Sequence, residues 1–292
     1  MRICLRCAGE TIKADWCCTS CGFTPAVMDG FTCFAPDLAL ENDGMAATSH
    51  DALDRLQGES FWFRSRNRLI MDLIRRHVPG AMRVLEVGCG TGYVSTALLQ
   101  ALPQARLTAS EIFTNGLGYA ARRTGGLAEL VQMDARAIPF RAEFDLICAF
   151  DVLEHIDADT EVLSQMVAAL APGGSVLLSV PQHPALWSQV DDIAHHKRRY
   201  TTGELAAKCR AAGLVVRRNT SFVSSLLPLM LLSRWRQRDR EIRPEDELRL
   251  PRLLDRLLEQ ALGVERWAIG LGLSLPWGGS RFVLASLPAE PG

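Results

Sequence analysis

The chain has 292 residues, 48% hydrophobic and 22% charged, so it can bury a sizeable core and does not read as disordered. Lys and Arg number 32 against 33 Asp and Glu, a net charge of -1 without the basic excess of a dedicated nucleic-acid binder. Five of the nine cysteines fall in the first 21 residues, which argues for a metal cluster plus buried thiols in a reducing, cytoplasmic setting and against a secreted disulfide framework. The first residues run straight into Cys4 without a signal-peptide pattern, and no apolar run reaches the length of a membrane span.

Residues 1–35 are predicted to form a unit of their own. Cys4-x2-Cys7 and Cys18-x2-Cys21 are separated by ten residues. A CxxC makes a tight knuckle whose sulfurs point at one ion, and two knuckles complete a tetrahedral thiolate site. Gly22 follows the second pair, where a knuckle needs a residue tolerant of positive φ. Cys17 competes with Cys18, but the CxxC spacing favours Cys18. The spacing resembles a zinc ribbon, and four thiolates would make its zinc structural rather than catalytic. So short a segment cannot bury a core without such a staple.

Residues 36–58 read as a linker, broken at Pro36, Asn42, Asp43 and Gly44, and then a polar helix. A larger domain is expected over 59–292. In ESFWFRSRNRLIMDLIRRHV, Phe61, Leu69, Ile70, Leu73 and Ile74 share one helical face. Trp62, Phe63, Arg64 and Arg66 stand at the start of that helix, either as an aromatic anchor or as an element closing over a ligand.

The stretch Met82 to Val94, MRVLEVGCGTGYV, reads as a buried strand, a glycine-dense turn and a helix. Gly88, Gly90 and Gly92 permit a tight turn and offer bare main chain to a ligand. The pattern is not the GxGxxG of dinucleotide sites. Here the glycines fall as GxGxG, two residues after Glu86. A carboxylate so close would repel a pyrophosphate and suits a cationic ligand.

Strand candidates at 82–88, 106–111, 128–133, 144–150 and 174–180 alternate with helical stretches at 92–101, 115–123 and 157–170. This predicts a parallel sheet with helices on both faces, whose ligand binds beyond the carboxyl ends of the strands. Those ends carry Glu111, Asp134 and Asp151, with Glu154 and His155 just past the last of them. Glu111 lies where analogous nucleotide folds place a carboxylate on the ribose hydroxyls. GLVVRRNT at 213–220 and RFVLASLP from Arg281 read as two further strands.

ExGxGxG after a strand resembles motif I of class I S-adenosylmethionine (SAM) dependent methyltransferases, and the strand-end acids extend the resemblance over roughly residues 60–285. The resemblance implies an α/β, Rossmann-like seven-stranded sheet, six strands parallel and one antiparallel at the edge. It implies SAM as cofactor, held by Glu86, Gly88, Cys89, Gly90, Gly92, Glu111, Ile112, Asp134, Ala135 and Asp151. Asp134 would face the adenine amino group, with the Ala135 N–H nearby. The FWFRxRNR run looks like one found ahead of motif I in bacterial methyltransferases of glycan and lipid pathways. Some quinone and small-RNA methyltransferases carry ExxEH and a divalent ion where this chain has Asp151-x2-Glu154-His155.

The loop PQHPALWSQVDDIAHHKRRYTTGELAAKC brings His183, His195, His196 and Tyr200 next to Lys197, Arg198 and Arg199. It reads as a solvated surface loop or as an acceptor site for an anionic molecule. An oxygen acceptor needs a base, for which His155 or His195 is the candidate, with Tyr200 as an orienting donor. An insert at about 222–280 holds FVSSLLPLMLLSRW, an arginine-rich run, and an amphipathic helix from Pro251 to about Leu262. It reads as a helical lid on the domain, or as a peripheral membrane contact through 222–243.

Three functions compete. The leading one is methyl transfer to a small or lipid- or glycan-linked acceptor, at oxygen. The second is an RNA methyltransferase, because a cysteine knuckle ahead of such a domain is similar to certain bacterial ribosomal RNA methyltransferases. The neutral charge and the apolar insert count against it. The third is a binding module without catalysis, against which the intact glycines and acids argue.

Overall fold

The computed structural model describes residues 1–10, 12–40, 47–236 and 250–288. Val84, Leu85 and Val87 are buried on both sides of a sheet, as the central strand of a parallel arrangement demands. In chain order the strands are β1 (Ala26–Met28), β2 (Phe31–Cys33), β3 (Arg83–Val87), β4 (Arg106–Glu111), β5 (Ala128–Gln132), β6 (Phe144–Phe150), β7 (Leu170–Pro181), β8 (Val215–Phe222) and β9 (Ser280–Ser286). They form one nine-stranded sheet in the order β1-β2-β5-β4-β3-β6-β7-β9-β8.

Two points correct the seven-stranded expectation. The cysteine segment does not stand apart from the sheet. Its hairpin β1–β2 extends it, with Thr32 and Cys33 in parallel register with Val131 and Gln132 of β5. Trp16 also packs edge-on against Phe34 and Phe140 in the main core, at centroid distances of 4.7 and 5.4 Å. The second point is the antiparallel strand. β9 is not an edge: it runs between β7 and β8, antiparallel to both, and β8 is the edge. Phe282, Val283, Leu284 and Ala285 are all buried, so this apolar strand needs cover on both flanks.

The helices are α1 (Pro36–Leu40), α2 (Ala47–Glu59), α3 (Phe61–His77), α4 (Tyr93–Ala101), α5 (Thr114–Thr124), α6 (Asp159–Ala169), α7 (Gln189–Ile193), α8 (Glu204–Ala211), α9 (Leu227–Arg236) and α10 (Arg252–Gly270). The stretch read as a linker carries α1, the polar helix expected after it is α2, and Asn42, Asp43 and Gly44 lie outside the described residues. The predicted apolar face of α3 is buried, and each of its five side chains contributes about 1.5–3 kcal/mol of transfer free energy. Ser60 caps α3, its Oγ accepting from Trp62 N–H at 3.4 Å. α10 runs past the predicted end at Leu262 because Glu265 and Ile269 continue its buried face. It packs on α3, where Arg64 binds Asp255 and Glu259.

Candidate active site

The glycine turn sits at the carboxyl end of β3, and its three glycines have different jobs. A Cβ on Gly88 would overlap Val152, and one on Gly92 would come within 2.7 Å of Ala120 Cα. Gly88 thus makes room for the Val152 side chain, and Gly92 lets the backbone of α5 approach. Gly90 faces open space, with nothing within 4 Å of where its Cβ would be. Its main chain is bare on that side. Cys89 is buried beside it, and burial pushes its thiol well above the ordinary range.

Around this turn the strand tips converge. Glu111 accepts N–H bonds from Gly90 and Ile112, both at 2.8 Å, so it bridges the tip of β4 to the turn. Glu86 is buried beneath the turn and accepts a bond from Ser95 Oγ. Burial pushes its carboxyl up to about 8, with the Ser95 bond pulling the other way. Asp134 is clamped by Arg136, whose Nε lies 3.0 and 2.9 Å from its two oxygens. Ala135 is buried next to it. Asp151 adopts φ +57 at the tip of β6. It pairs with Arg66 at 2.6 Å and accepts from Ser179 Oγ at 3.1 Å. Arg66, buried under the rings of Trp62 and Phe150, thus joins α3 to the site.

Sequence reasoning missed the contribution of α2. Gln57 accepts a bond from Thr91 Oγ1, and Asp54 binds Arg123 of α5. His50 is buried against Glu111 and Gly116, and its Nδ1 has no hydrogen-bond partner among the described residues. Burial lowers its pKa, with the Glu111 charge opposing. Because α2 is polar with few apolar positions, no periodic signal marked it as covering the turn.

Beyond β6, Glu154, His155 and His196 place donor atoms within 4.8 Å of one another. This is a different set from Asp151-x2-Glu154-His155, since Asp151 is engaged by Arg66. Glu154 is fully buried and neither carboxylate oxygen has a hydrogen-bond partner among the described residues, and burial holds it well above the ordinary carboxylate range. The rings of His155 and His196 meet edge-on at 4.8 Å. Burial first, and His196 second, lower His155 to about 4. His195, the alternative base, has φ +55 and its side chain is exposed. That backbone turn directs its neighbour His196 inward instead, onto Asp191 at 2.8 Å.

Residues 62–219, more than half of the chain, match the methyltransferase domain family. The chain belongs to that family. A trans-aconitate 2-methyltransferase of Azoarcus sp. (strain BH72) is 31% identical over 149 residues, 50% of this chain and 56% of that protein. A malonyl-[acyl-carrier protein] O-methyltransferase of Haemophilus ducreyi is 30% identical over 121 residues, 39% of this chain and 46% of that protein. The chain spans about half the length of these curated relatives. Among solved structures, a chain from the complex between the Haloferax volcanii Trm112 methyltransferase activator and a methyltransferase matches with TM-score 0.58 at 18% identity. The match covers 84% of this chain and 98% of that one. That likeness is one of fold.

Within this methyltransferase the 183–200 loop departs from expectation. Tyr200 is not an orienting donor at the site: it is fully buried and its hydroxyl donates to Asp159 at 2.6 Å. Arg198 also binds Asp159, and Arg199 binds Asp191 at 2.7 Å. Two of the three loop cations are thus matched by acids of the same fold. Against the effect of burial, the bonds from His196 and Arg199 hold Asp191 well below the usual carboxylate range.

At the other end of the chain, Cys4, Cys7, Cys18 and Cys21 have all four sulfurs within 4.8 Å of one another. The Cys4–Cys21 and Cys7–Cys18 sulfurs are 3.6 and 3.7 Å apart. Tetrahedral thiolates around zinc would lie about 3.8 Å apart, so the donor set fits that ion. Cys17 is outside the cluster, and Gly22 has the positive φ that the knuckle requires.

Proposed function

We propose that this methyltransferase moves the methyl group of SAM to an acidic oxygen, a carboxylate or an acidic hydroxyl, of a small or lipid- or glycan-linked acceptor. The observation that carries the reading is the open main chain of Gly90 set between Glu111 and the buried Glu86. Bound SAM supplies a methyl group on a sulfonium, ready for in-line displacement. Glu111 has lone pairs left for the ribose hydroxyls, Asp134 and the Ala135 N–H serve the adenine, and Glu86 offsets the ligand's positive charge. His155 is the proposed base. A base held near 4 by burial favours an acidic acceptor, and an ionised carboxylate needs no base at all. The names of the relatives, trans-aconitate and malonyl methyltransferases, support an acid of this kind. The pairing of Arg198 and Arg199 with acids removes the support for RNA binding through that loop.

We further propose that Cys4, Cys7, Cys18 and Cys21 hold a structural zinc ion, and that the protein works in the cytoplasm. No helix among the described residues is long and apolar enough to cross a membrane.

The test is transfer from labelled SAM into cell extract separated into small-molecule, lipid, RNA and protein pools. Base-labile label in the small-molecule or lipid pool supports a methyl ester; label in RNA alone overturns the reading. Glu111→Ala should weaken SAM binding by roughly tenfold or more, as loss of charge-assisted hydrogen bonds does, with the unfolding curve retained. Unchanged affinity would mean that another residue holds the ribose.

A further inference from the structure

The outer face of α10 carries apolar side chains that nothing among the described residues covers. Leu253, Leu257, Val264, Trp267 and Leu271 are 73, 58, 67, 66 and 61% exposed. At 3.6 residues per turn all five fall within about 40° of one line, on the order of 27 Å long. The opposite side of the same helix is also apolar: Leu258, Leu262 and Ile269 pack into the core. A surface helix normally presents one apolar stripe, and this one presents two. Single exposed leucines are ordinary, but a row of five, interrupted by Gln260, marks a surface that meets something.

The charges of α10 are sorted with equal clarity. Its acids turn away from the stripe and are satisfied. Asp255 and Glu259 bind Arg64, and Glu265 accepts from the N–H groups of Ser224 and Ser225. Arg252 and Arg256 lie along one side of the stripe, exposed and without an ion-pair partner among the described residues. A shallow groove of about 490 Å³ runs alongside, lined in part by Arg68, Arg256, Gln260 and Trp267, with Glu259 held there by Arg64 and Arg68. A second copy of this face would match apolar to apolar but would bring no acid to either arginine. An anionic partner with an apolar interior matches both.

We propose that the outer face of α10 seats on the surface of an anionic lipid bilayer. The helix lies along the interface, with Leu257, Val264 and Trp267 inserted and Arg252 and Arg256 among the phosphates. The sequence offers such a contact through 222–243 as an alternative to a lid; its residues 237–243 lie outside the described ones, and the row at 253–271 is a separate surface. The proposal stands whatever the methyl acceptor is.

The experiment is sedimentation of the full chain with phosphatidylcholine vesicles, with and without phosphatidylglycerol, in the absence of SAM. The protein should pellet with the anionic vesicles and be released by salt. Leu257→Asp with Val264→Asp should weaken binding roughly tenfold or more, since two apolar anchors become charges. Arg252→Glu with Arg256→Glu should abolish the preference for phosphatidylglycerol. All these positions are exposed, and an unchanged thermal shift on adding SAM verifies the fold. Vesicles should also blue-shift the tryptophan emission, and Trp267→Ser should lose that shift. Protein that stays in the supernatant, or variants that pellet like the wild type, overturn the proposal. So does a dimer that the Leu257→Asp, Val264→Asp variant dissolves.

Discussion

Gln132 holds Ala35 through both ends of its side-chain amide. Its Oε1 accepts the Ala35 N–H at 3.0 Å, and its Nε2 donates to the Ala35 carbonyl at 2.8 Å. The same Nε2 donates to the Ile112 carbonyl at 3.0 Å. A fully buried side chain at the end of β5 therefore ties the chain leaving the cysteine hairpin to the residue after Glu111. Gln132→Leu keeps the volume and orphans the buried partners. It should cost about 1–3 kcal/mol of stability and weaken SAM binding several-fold. Calorimetry on the folded variant checks this. Full affinity in a destabilised variant would show that the amide matters to the fold alone.

Metal removal should act through the same connection. With zinc chelated, or with Cys7→Ser, the thiolate site loses its closure and the β1–β2 hairpin its anchor. SAM affinity should fall although none of the four cysteines belongs to the proposed cofactor site. Titration of the stripped protein with SAM, before and after zinc is restored, gives the answer. Identical affinities would make the cysteine segment an independent module.

Glu86 gives the ligand-free protein a pH dependence with a definite sign. Burial raises its pKa from 4.5 to about 8 on folding. Between those values the folded state keeps a proton that the unfolded chain has released, so stability declines as pH rises through the window. Glu86→Gln removes that term. Relative to the wild type the variant should gain about 1.4 kcal/mol per pH unit across the window and level off above it. Urea unfolding at a series of pH values measures the difference. Parallel curves would mean that Glu86 ionises at no cost. The variant should also lose much of its stabilisation by SAM.

Tyr200→Phe separates a packing role from a role at the site. Asp159 would lose the phenol but keep Lys208 and Arg198. A loss of about 1 kcal/mol of stability is expected, with kcat within twofold of the wild type. A tenfold fall in kcat at unchanged stability would restore Tyr200 as an orienting donor.

The placement of the proposed cofactor residues was legible because it depends on local chemistry. Parallel strands end in one layer, so acids at successive strand ends share that layer: Glu111 bonds the glycine turn, Glu86 is buried just before it, and Asp151 sits at the tip of β6. The knuckle spacing similarly identified Cys18 over Cys17. Pairing partners were another matter. Nothing in AVMDGFTC says that its second half will lie along Val131 and Gln132, about a hundred residues on. The order of β8 and β9 in the chain does not say which of them is the edge. The basic run at 197–199 looked unpaired because Asp159 is about forty residues away. Asp191 was near in sequence, but only the turn at His195 aims His196 and Arg199 at it. The polar α2 hid His50 and Gln57 because it buries chemistry rather than an apolar stripe.

The addition of β2 to β5 also bears on solubility. Without the hairpin, β5 would end the sheet with a row of unpaired N–H and C=O groups, a template for any other extended chain. The strand left outermost, β1, is only three residues long and offers little to pair with. The hairpin thus acts as a guard rail on the sheet's vulnerable side. Protein deprived of the proposed zinc would then be lost first to precipitation through open strand edges, with the main core still folded.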